Sequence, residues 1–515
     1  MLQIIHLNPL EVEQVDPYKV GRKWMSTHFS SDCFNEPSPL FKGSRKALIS
    51  DYVSRFCDIS HAGKHLPIVE YDLEMSKKTG PQGGKATWES AKDTFKSYYE
   101  NADIVPSYRL AIEGRDLLIS WIKSVSANNA LPPIDHSWLE GPQAAGMPRG
   151  GTKNWWLSHA DGLKFNYTPG DPVLPNIRKQ RNKVRAIFCT SAKDNDALQP
   201  PLTACREWLK QHFPHIFGAW LNPTEYTYPD ITTGVIRNSW FLETDFKAMD
   251  QHLTWAVVRD IILPIYEVLL PEWEYLYFYA KVEEAYHAPL FTGTDLWTGL
   301  HTTFSGQSFT NDFETLVAVC VYLAAHVRSG QPIATFGDQY KGIGDDVVYR
   351  ADSKAQLMAV YNLVRYEFKR IGLILSEEKT RIQQGECRFC RMVYYSALPR
   401  YLNANNQPYV WPAYPMVLAI NNCIQPERTH SYVPEELMAL FTRLDNGKAH
   451  YQFNNIVNWL YGKFSPNITP ATGNLTDVAF TELQMKDWWY KVYNTTYTLS
   501  DSPSATIYRQ RFQRK

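Results

Sequence analysis

The stretch Phe336-Gly-Asp-Gln-Tyr-Lys-Gly-Ile-Gly-Asp-Asp-Val-Val-Tyr-Arg350 holds two Gly-Asp pairs, Gly337-Asp338 and Gly344-Asp345. Their surroundings differ. Gly344-Asp345 is a dipeptide suited to a tight hairpin turn and is flanked on both sides by residues that can extend, from Tyr340 to Tyr349. Phe336 to Gln339 lacks a second acid and reads as an approach loop, with Asp338 a loop acid. A second acid, Asp346, directly follows the later pair.

Around this hairpin the chain alternates helix and strand signals. Ser239-Trp-Phe-Leu242 reads as a short buried strand ending in Glu243-Thr-Asp245. A helix is expected to start near Asp250, with Leu253, Ala256, Val257 and Ile261 on one face. A second follows Ser305-Gly306, with a stripe of Phe313, Leu316, Val317, Cys320 and Leu323. Asn311 and Glu314 resemble a capping box at its start. Residues 353 to 370 form a third, with Leu357, Val360, Tyr361, Val364 and Phe368 inward and Gly372 as its stop. The expected class is α+β, an antiparallel sheet with helices on one face.

An acid at the end of a buried strand and an acid pair at a hairpin tip both lie at a sheet edge, where side chains leave the core. Asp245, Asp345 and Asp346 brought together make an oxygen-rich pocket that cannot stay fully ionised without a cation. Few, hard oxygen ligands suit magnesium, with manganese as a substitute. Two such ions about 3.5–4 Å apart serve an in-line phosphoryl transfer. A lone Gly-Asp-Asp is more often a surface turn, but the earlier strand followed by Asp-x4-Asp, Asp245 to Asp250, argues against that here.

The 515 residues are too many for one small core, and 44% hydrophobic with 21% charged residues reads as globular. Lys+Arg and Asp+Glu both number 53, so any polyanion site needs local clustering of charge. Such a cluster occurs at Arg178-Lys-Gln-Arg-Asn-Lys-Val-Arg185. Read as one extended strand, it puts Arg181, Lys183 and Arg185 on one face, where guanidinium forks suit phosphate oxygens. A solvated charged face is the other reading. The eight cysteines are scattered apart from Cys387-x-x-Cys390, which lacks a second pair at zinc spacing and reads as two small apolar residues in a strand. The start of the chain reads as free of a secretory leader. The apolar run Leu316 to Val327 is too short to cross a bilayer, so no membrane partner is expected.

Asp245-Phe-Lys-Ala-Met-Asp250, Ser305-Gly-Gln-Ser-Phe-Thr310, Gly344-Asp-Asp346 and Gly372 to Lys379 resemble, in order and spacing, motifs A, B, C and D of viral RNA-dependent RNA polymerases. The resemblance covers residues 178 to 395. Within that family the chain is most similar to the enzymes of picobirnaviruses, in the partitivirus-like group of double-stranded RNA viruses. This implies a right-hand polymerase that copies an RNA template into a nascent RNA strand from ribonucleoside triphosphates, without a primer. It implies Asp245, Asp345 and Asp346 as metal ligands, and Asp250, Ser305 and Thr310 around the incoming ribose. Many relatives carry Asn four residues after that Thr, where this chain has Glu314. Asn311 is nearer and is either a ribose contact or a helix cap.

Lys183 and Arg185 match a Lys-x-Arg core that holds the triphosphate, with Arg178, Lys179, Arg181 and Gly306 toward RNA. Lys379 resembles a lysine that protonates departing pyrophosphate; a solvated cation is the alternative. Glu386 to Arg391 occupies the place of a hairpin that grips the growing strand, and Arg149 to Lys153 that of a template-entry loop. Trp459, Trp488, Trp489, Tyr490 and Tyr493 read as packing a helical thumb, and Arg509 to Lys515 as a basic end. The implied divisions are 1–60 bridging fingers and thumb, 61–238 fingers, 239–262 palm, 263–300 a fingers insertion, 301–395 palm, and 396–515 thumb and tail. A viral capsid partner, the virion interior and the host cytoplasm follow from the resemblance. A reverse transcriptase and an inactive capsid-associated RNA-binding scaffold are the rival readings.

Overall fold

Four short strands build the sheet on which the acids sit. The computed structural model describes residues 1–14, 16–38, 41, 43–58, 66–136, 172–190, 192–427, 443–444 and 447–464. The expectations for Arg149 to Lys153, Trp488, Trp489, Tyr490, Tyr493 and Arg509 to Lys515 lie outside the described residues. The strands, in chain order, are β1 (Gln3–His6), β2 (Leu174–Gln180), β3 (Lys183–Cys189), β4 (Trp240–Thr244), β5 (Leu290–Phe291), β6 (Asp295–Thr298) and β7 (Tyr340–Ile343). They continue with β8 (Asp346–Ala351), β9 (Arg381–Gln384), β10 (Glu386–Phe389), β11 (Met392–Tyr395), β12 (Arg400–Leu402) and β13 (Pro408–Val410).

The central sheet runs β7-β8-β4-β9, all antiparallel. Ile343 pairs with Asp346, so Gly344-Asp345 is the two-residue turn that the sequence implied. β2–β3, β10–β11 and β12–β13 are separate hairpins, and β1-β6-β5 is a small third layer.

Alternation along β4 and β8 sends side chains into two different cores. Phe241 and Val348 join one core with Tyr228, Ile231 and Val235. Leu242, Val347, Tyr349 and Ala351 join the other, with the helices Thr310–Arg328 and Lys354–Arg370. The sheet is therefore covered on both faces, not one. Its second cover is the helix Thr227–Ile236 together with β10, whose Arg388 N–H donates to Glu243 of β4 at 2.8 Å.

Helix Thr310–Arg328 is buried at every position from Thr315 to His326. Its neighbour on one side is helix Leu110–Ser126, which begins where Glu367 accepts hydrogen bonds from the Arg109 and Ala111 N–H groups at 2.7 and 2.8 Å. The two helices approach through Gly114, where an added Cβ would lie 1.7 Å from the Cys320 carbonyl oxygen. Of the described helices, none is long and apolar enough to cross a membrane.

Elsewhere the fold departs from local signals. The helix expected near Asp250 begins at Trp255, capped by the Thr254 hydroxyl, because residues 248 to 253 first close turns on themselves. Asn311 and Glu314 make no capping box; the residue before that helix is Phe309, with no side-chain cap. Phe336–Gln339 is a single helical turn, not a loop. Of the two cysteines assigned to a strand, Cys387 is buried in β10, whereas Cys390 sits in the turn after it with φ 50°. Trp459 packs on Tyr52 and Phe56, as its packing role requires.

Because the Gly114 contact is made to backbone, the helices must separate to admit a methyl group. Gly114→Ala is expected to lower unfolding free energy by about 1–3 kcal/mol, read from a urea midpoint; an unchanged midpoint would contradict this close approach.

Candidate active site

β4 ends at Thr244, which pairs with Val347, and Asp245 follows at once. The register sets Asp245 beside the Gly344–Asp346 tip of the β7–β8 hairpin. Beyond β4 the chain pairs with the segment before β9: Phe246 bridges Leu375, and the Ser376 N–H donates to the Asp245 carbonyl at 2.8 Å. That segment turns back through a Lys379 N–H to Ser376 carbonyl bond, bringing the Lys379 ammonium to Asp245 Oδ1 at 2.7 Å.

Electrostatics link the acids further. Burial among protein walls raises the Asp345 carboxyl, with the charges of Asp245 and Asp250 adding to it, although the carboxyl itself is open to solvent at the cleft mouth. Burial, then Asp345 and Asp245, push Asp346 up to about 6. Asp250 is raised by burial but steadied by the Tyr98 hydroxyl, which donates to Oδ2 at 2.6 Å, and by the Gln251 N–H. A fifth carboxyl, Glu314, is held well above its usual range by burial, then by Asp250 and Asp345. Glu314 has no hydrogen-bond or ion-pair partner among the described residues, and its Oε2 would lie 3.3 Å from a Cβ built at Gly344. The donor set is hard oxygen throughout, with few compensating cations. That chemistry fits magnesium or manganese.

The Ser305–Gly306 loop is tied to the β2–β3 hairpin. The Phe188 N–H donates to the Ser305 carbonyl at 2.9 Å. Gly306 has φ +113°, and a Cβ there would sit 2.5 Å from the Phe188 oxygen. Below the loop, Phe304 is stacked between Phe188 at 3.7 Å and His301 at 3.4 Å. Thr310 turns its hydroxyl to the Phe304 and Gln307 carbonyls, at 2.9 and 3.1 Å, so it braces the loop. Asn311 is exposed and accepts from the Trp220 indole at 3.3 Å, whereas Glu314 faces the acids. The signal for Glu314 was present: an acid followed by an apolar helical run, with no basic residue three or four positions away.

The basic segment is a hairpin, not one strand. Arg181 and Asn182 both have positive φ, 51° and 66°, the geometry of a two-residue hairpin turn. Arg178 forms a two-pronged pair with Glu427 at 2.9 Å. Lys179 is buried, paired with Asp32, and set over the Phe34 ring at 4.4 Å. These two cations thus join β2 to the N-terminal segment and to the residues after helix Met416–Ile424. Lys183 and Arg185 are exposed, and Arg185 acts on Asp250.

The first Gly-Asp pair has its own cluster. His215, Asp230 and Asp338 bring ligand atoms within 4.8 Å of one another, closer than the Asp245, Asp345 and Asp346 set. A cation already stands there. Buried Lys341 places its ammonium 2.8 Å from Asp230 and donates to the His215, Gly337 and Tyr340 carbonyls. Burial alone would raise Asp230, but Lys341 and His215 hold it below its usual range.

The fold is that of solved polymerase structures. The crystal structure of the RNA-dependent RNA polymerase of a human picobirnavirus aligns at a TM-score of 0.71 and 16% identity, over 98% of this chain and 98% of that one. The insertion-loop deletion mutant of such a polymerase aligns at the same TM-score and identity, over 94% of this chain and 98% of its own. No protein-family model and no curated protein sequence matches the chain.

A carboxyl raised in the folded state favours folding while protonated and loses that contribution as it ionises. Free of divalent ions, the protein is expected to lose stability as pH rises from about 4 toward 6, the interval between the ordinary carboxyl range and the Asp346 value. Thermal unfolding with chelator and with magnesium checks this: magnesium should raise the midpoint more at neutral pH than at pH about 5. Asp346→Asn should shrink that difference. A magnesium effect independent of pH would exclude these acids as its site.

Proposed function

We propose that the protein is the RNA-dependent RNA polymerase of a double-stranded RNA virus, joining ribonucleoside triphosphates on an RNA template. The observation that carries this is the β4–β8 register, which sets Asp245 beside the Gly344–Asp346 turn in a fold shared with a viral polymerase.

Asp245, Asp345 and Asp346 would hold magnesium. Bound there, magnesium supplies positive charge that activates an attacking hydroxyl and offsets charge on phosphate oxygens. Asp250, steadied by Tyr98, accepts from the ribose hydroxyls, and Glu314 stands across from it. A 2′-hydroxyl both donates and accepts, so polar groups at this point can prefer ribonucleotides. Arg185 and Lys183 are cations for the triphosphate. Lys379, the ammonium on Asp245, is the proton donor to the departing pyrophosphate. Ser305 and Gly306 act as the hinge at the template.

In this reading residues 61–238 and 263–300 are fingers, 239–262 and 301–395 palm, and 396–515 thumb, with 1–60 linking fingers to thumb. Contacts of residues 32–38 with β2 and with residues 424–427 support that last point. Primer-free initiation, a capsid partner, and a place in the virion interior and host cytoplasm belong to the same proposal.

The test is incubation with RNA, magnesium and ribonucleotides in the absence of primer. Wild type should make product, and Asp345→Asn should lose at least about a hundredfold in rate while retaining RNA binding. RNA binding without synthesis by wild type would favour a scaffold; preferential use of deoxynucleotides would favour a reverse transcriptase. A companion measurement concerns the sugar. Glu314→Ala is expected to narrow the ratio of kcat/KM for ribo- over deoxyribonucleotides by about tenfold, and Asn311→Ala to leave it unchanged. The opposite order would return the ribose contact to Asn311.

A further inference from the structure

The β1-β6-β5 layer is closed on one side and open on the other. Beyond β5, Val173 bridges Leu290; its N–H donates to the Pro289 carbonyl at 2.7 Å, and its carbonyl accepts from the Phe291 N–H at 2.9 Å. At the opposite side β1 pairs only with β6, and among the described residues no strand lies on its outer edge. All four β1 residues are exposed, Ile4 and Ile5 at 48% each.

The ladder fixes which backbone groups that edge offers. β1 and β6 pair from Gln3↔Thr298 to His6↔Asp295, and one step on the Leu7 N–H donates to the Thr294 carbonyl at 3.1 Å. In an antiparallel ladder the hydrogen-bonded pairs recur at every second residue. Leu7, Ile5 and Gln3 therefore direct their N–H and C=O groups to β6. Ile4 and His6 turn theirs outward.

Edge strands are commonly guarded by a charge, a proline or a bulge. β1 has none of these. No Asp, Glu, Lys or Arg occurs from residue 1 to residue 10, Pro9 falls after the strand, and the register with β6 is unbroken. The His6 ring is turned to Asp295 of β6 at 2.8 Å. The edge is thus free of acidic and basic side chains, with one half-exposed isoleucine on each face.

A charged partner strand would find no counter-charge here, whereas a second β1 fits. Laid antiparallel about a twofold axis through Ile5, it sets Ile4 opposite the partner's His6 and His6 opposite the partner's Ile4. Both positions carry outward backbone groups, so each donor meets an acceptor. Ile5 then faces the partner's Ile5 as a non-bonded pair, the position where opposed side chains come closest.

We propose that β1 docks on β1 of a second copy of this chain, antiparallel about Ile5, joining two three-stranded layers into one continuous sheet. The interface is isologous, with the same strand on both sides of the axis. It stands independently of the polymerase reading.

A cysteine on the axis tests the register. In a non-bonded antiparallel pair the Cα atoms lie about 4.5 Å apart, within disulfide reach, whereas diagonal neighbours are about 7–8 Å apart. Under mild oxidation, full-length Ile5→Cys is expected to form a covalent dimer at least about tenfold faster than Ile4→Cys, whose two copies would stand diagonally. Wild type, with exposed Cys33 and Cys390, sets the background. Sedimentation over about 1–200 µM reads the association itself, which a strand pair this short places in the weak, transient class. Ile4→Pro removes one outward N–H and no bond to β6, so it should be monomeric with an unchanged thermal midpoint. If that midpoint falls, the cysteine pair decides. Equal cross-linking of the two cysteine variants would overturn the proposal, as would association that survives in a folded Ile4→Pro. A wild type that stays monomeric, with no Ile5→Cys dimer, would also overturn it. Slow amide exchange at Ile4 and His6 in such a monomer would give the edge to another segment of the same chain.

Discussion

The arrangement depends on one pairing, that of Thr244 with Val347 at the end of the β4–β8 ladder. Side chains in a strand alternate with a period of two, so a slip of one residue would send Leu242 and Val347 out of their core and exchange the faces of every neighbour. The two cores on opposite sides of the sheet forbid that slip. Phe241 and Val348 are claimed by one, Leu242 and Tyr349 by the other. The position of Asp245 beside the Gly344–Asp346 turn is therefore enforced by packing of apolar residues that have no part in the chemistry. Carboxylates repel one another, so attraction among the acids cannot bring them together.

The same division of labour appears in the approach to the cleft. The Ser305 loop is held by backbone bonding to β3 and by the Phe188–Phe304–His301 stack, all buried. Thr310 contributes its hydroxyl to the loop's carbonyls. Among the described residues, Glu314 makes no hydrogen bond or ion pair, and Arg185 and Lys183 are exposed. In the proposed reading, a ligand supplies the partner that such a rigid frame leaves out.

Much of this was legible in the chain. The hairpin at Gly344-Asp345, the strand before Asp245 and the helix Lys354–Arg370 follow from turn chemistry and periodicity, both of which are local. The misreadings concern partners that arrive from far away. Arg178 and Lys179 read as RNA-facing because their neighbours are basic, but Glu427 and Asp32, distant in sequence, take their charges. Nothing local marks Arg181-Asn182 as a turn, because Arg carries a Cβ that disfavours positive φ. Cys390-Arg391, at the end of the hairpin that the resemblance implies over Glu386 to Arg391, is likewise a turn without the usual Gly or Asn. Glu314 reads as part of a cap because spacing alone cannot tell a helix terminus from a helix face.

The two Gly-Asp pairs show how differently one fold compensates two groups of acids. Buried carboxylates need a positive partner, and the protein supplies it in two ways. At Asp230 the partner comes from the chain itself: buried Lys341 sets its ammonium against that carboxylate and three carbonyls. Around Asp345 and Asp346 the nearby cations are a more exposed Lys379, bound to Asp245, and Arg391, which makes no ion pair with a carboxylate among the described residues. The tighter geometric cluster already holds a cation, whereas among the described residues the looser one has less compensating charge. Proximity of ligand atoms by itself points to the first pair. The deciding quantity is how much positive charge each group of acids still lacks once the surrounding chain has been counted.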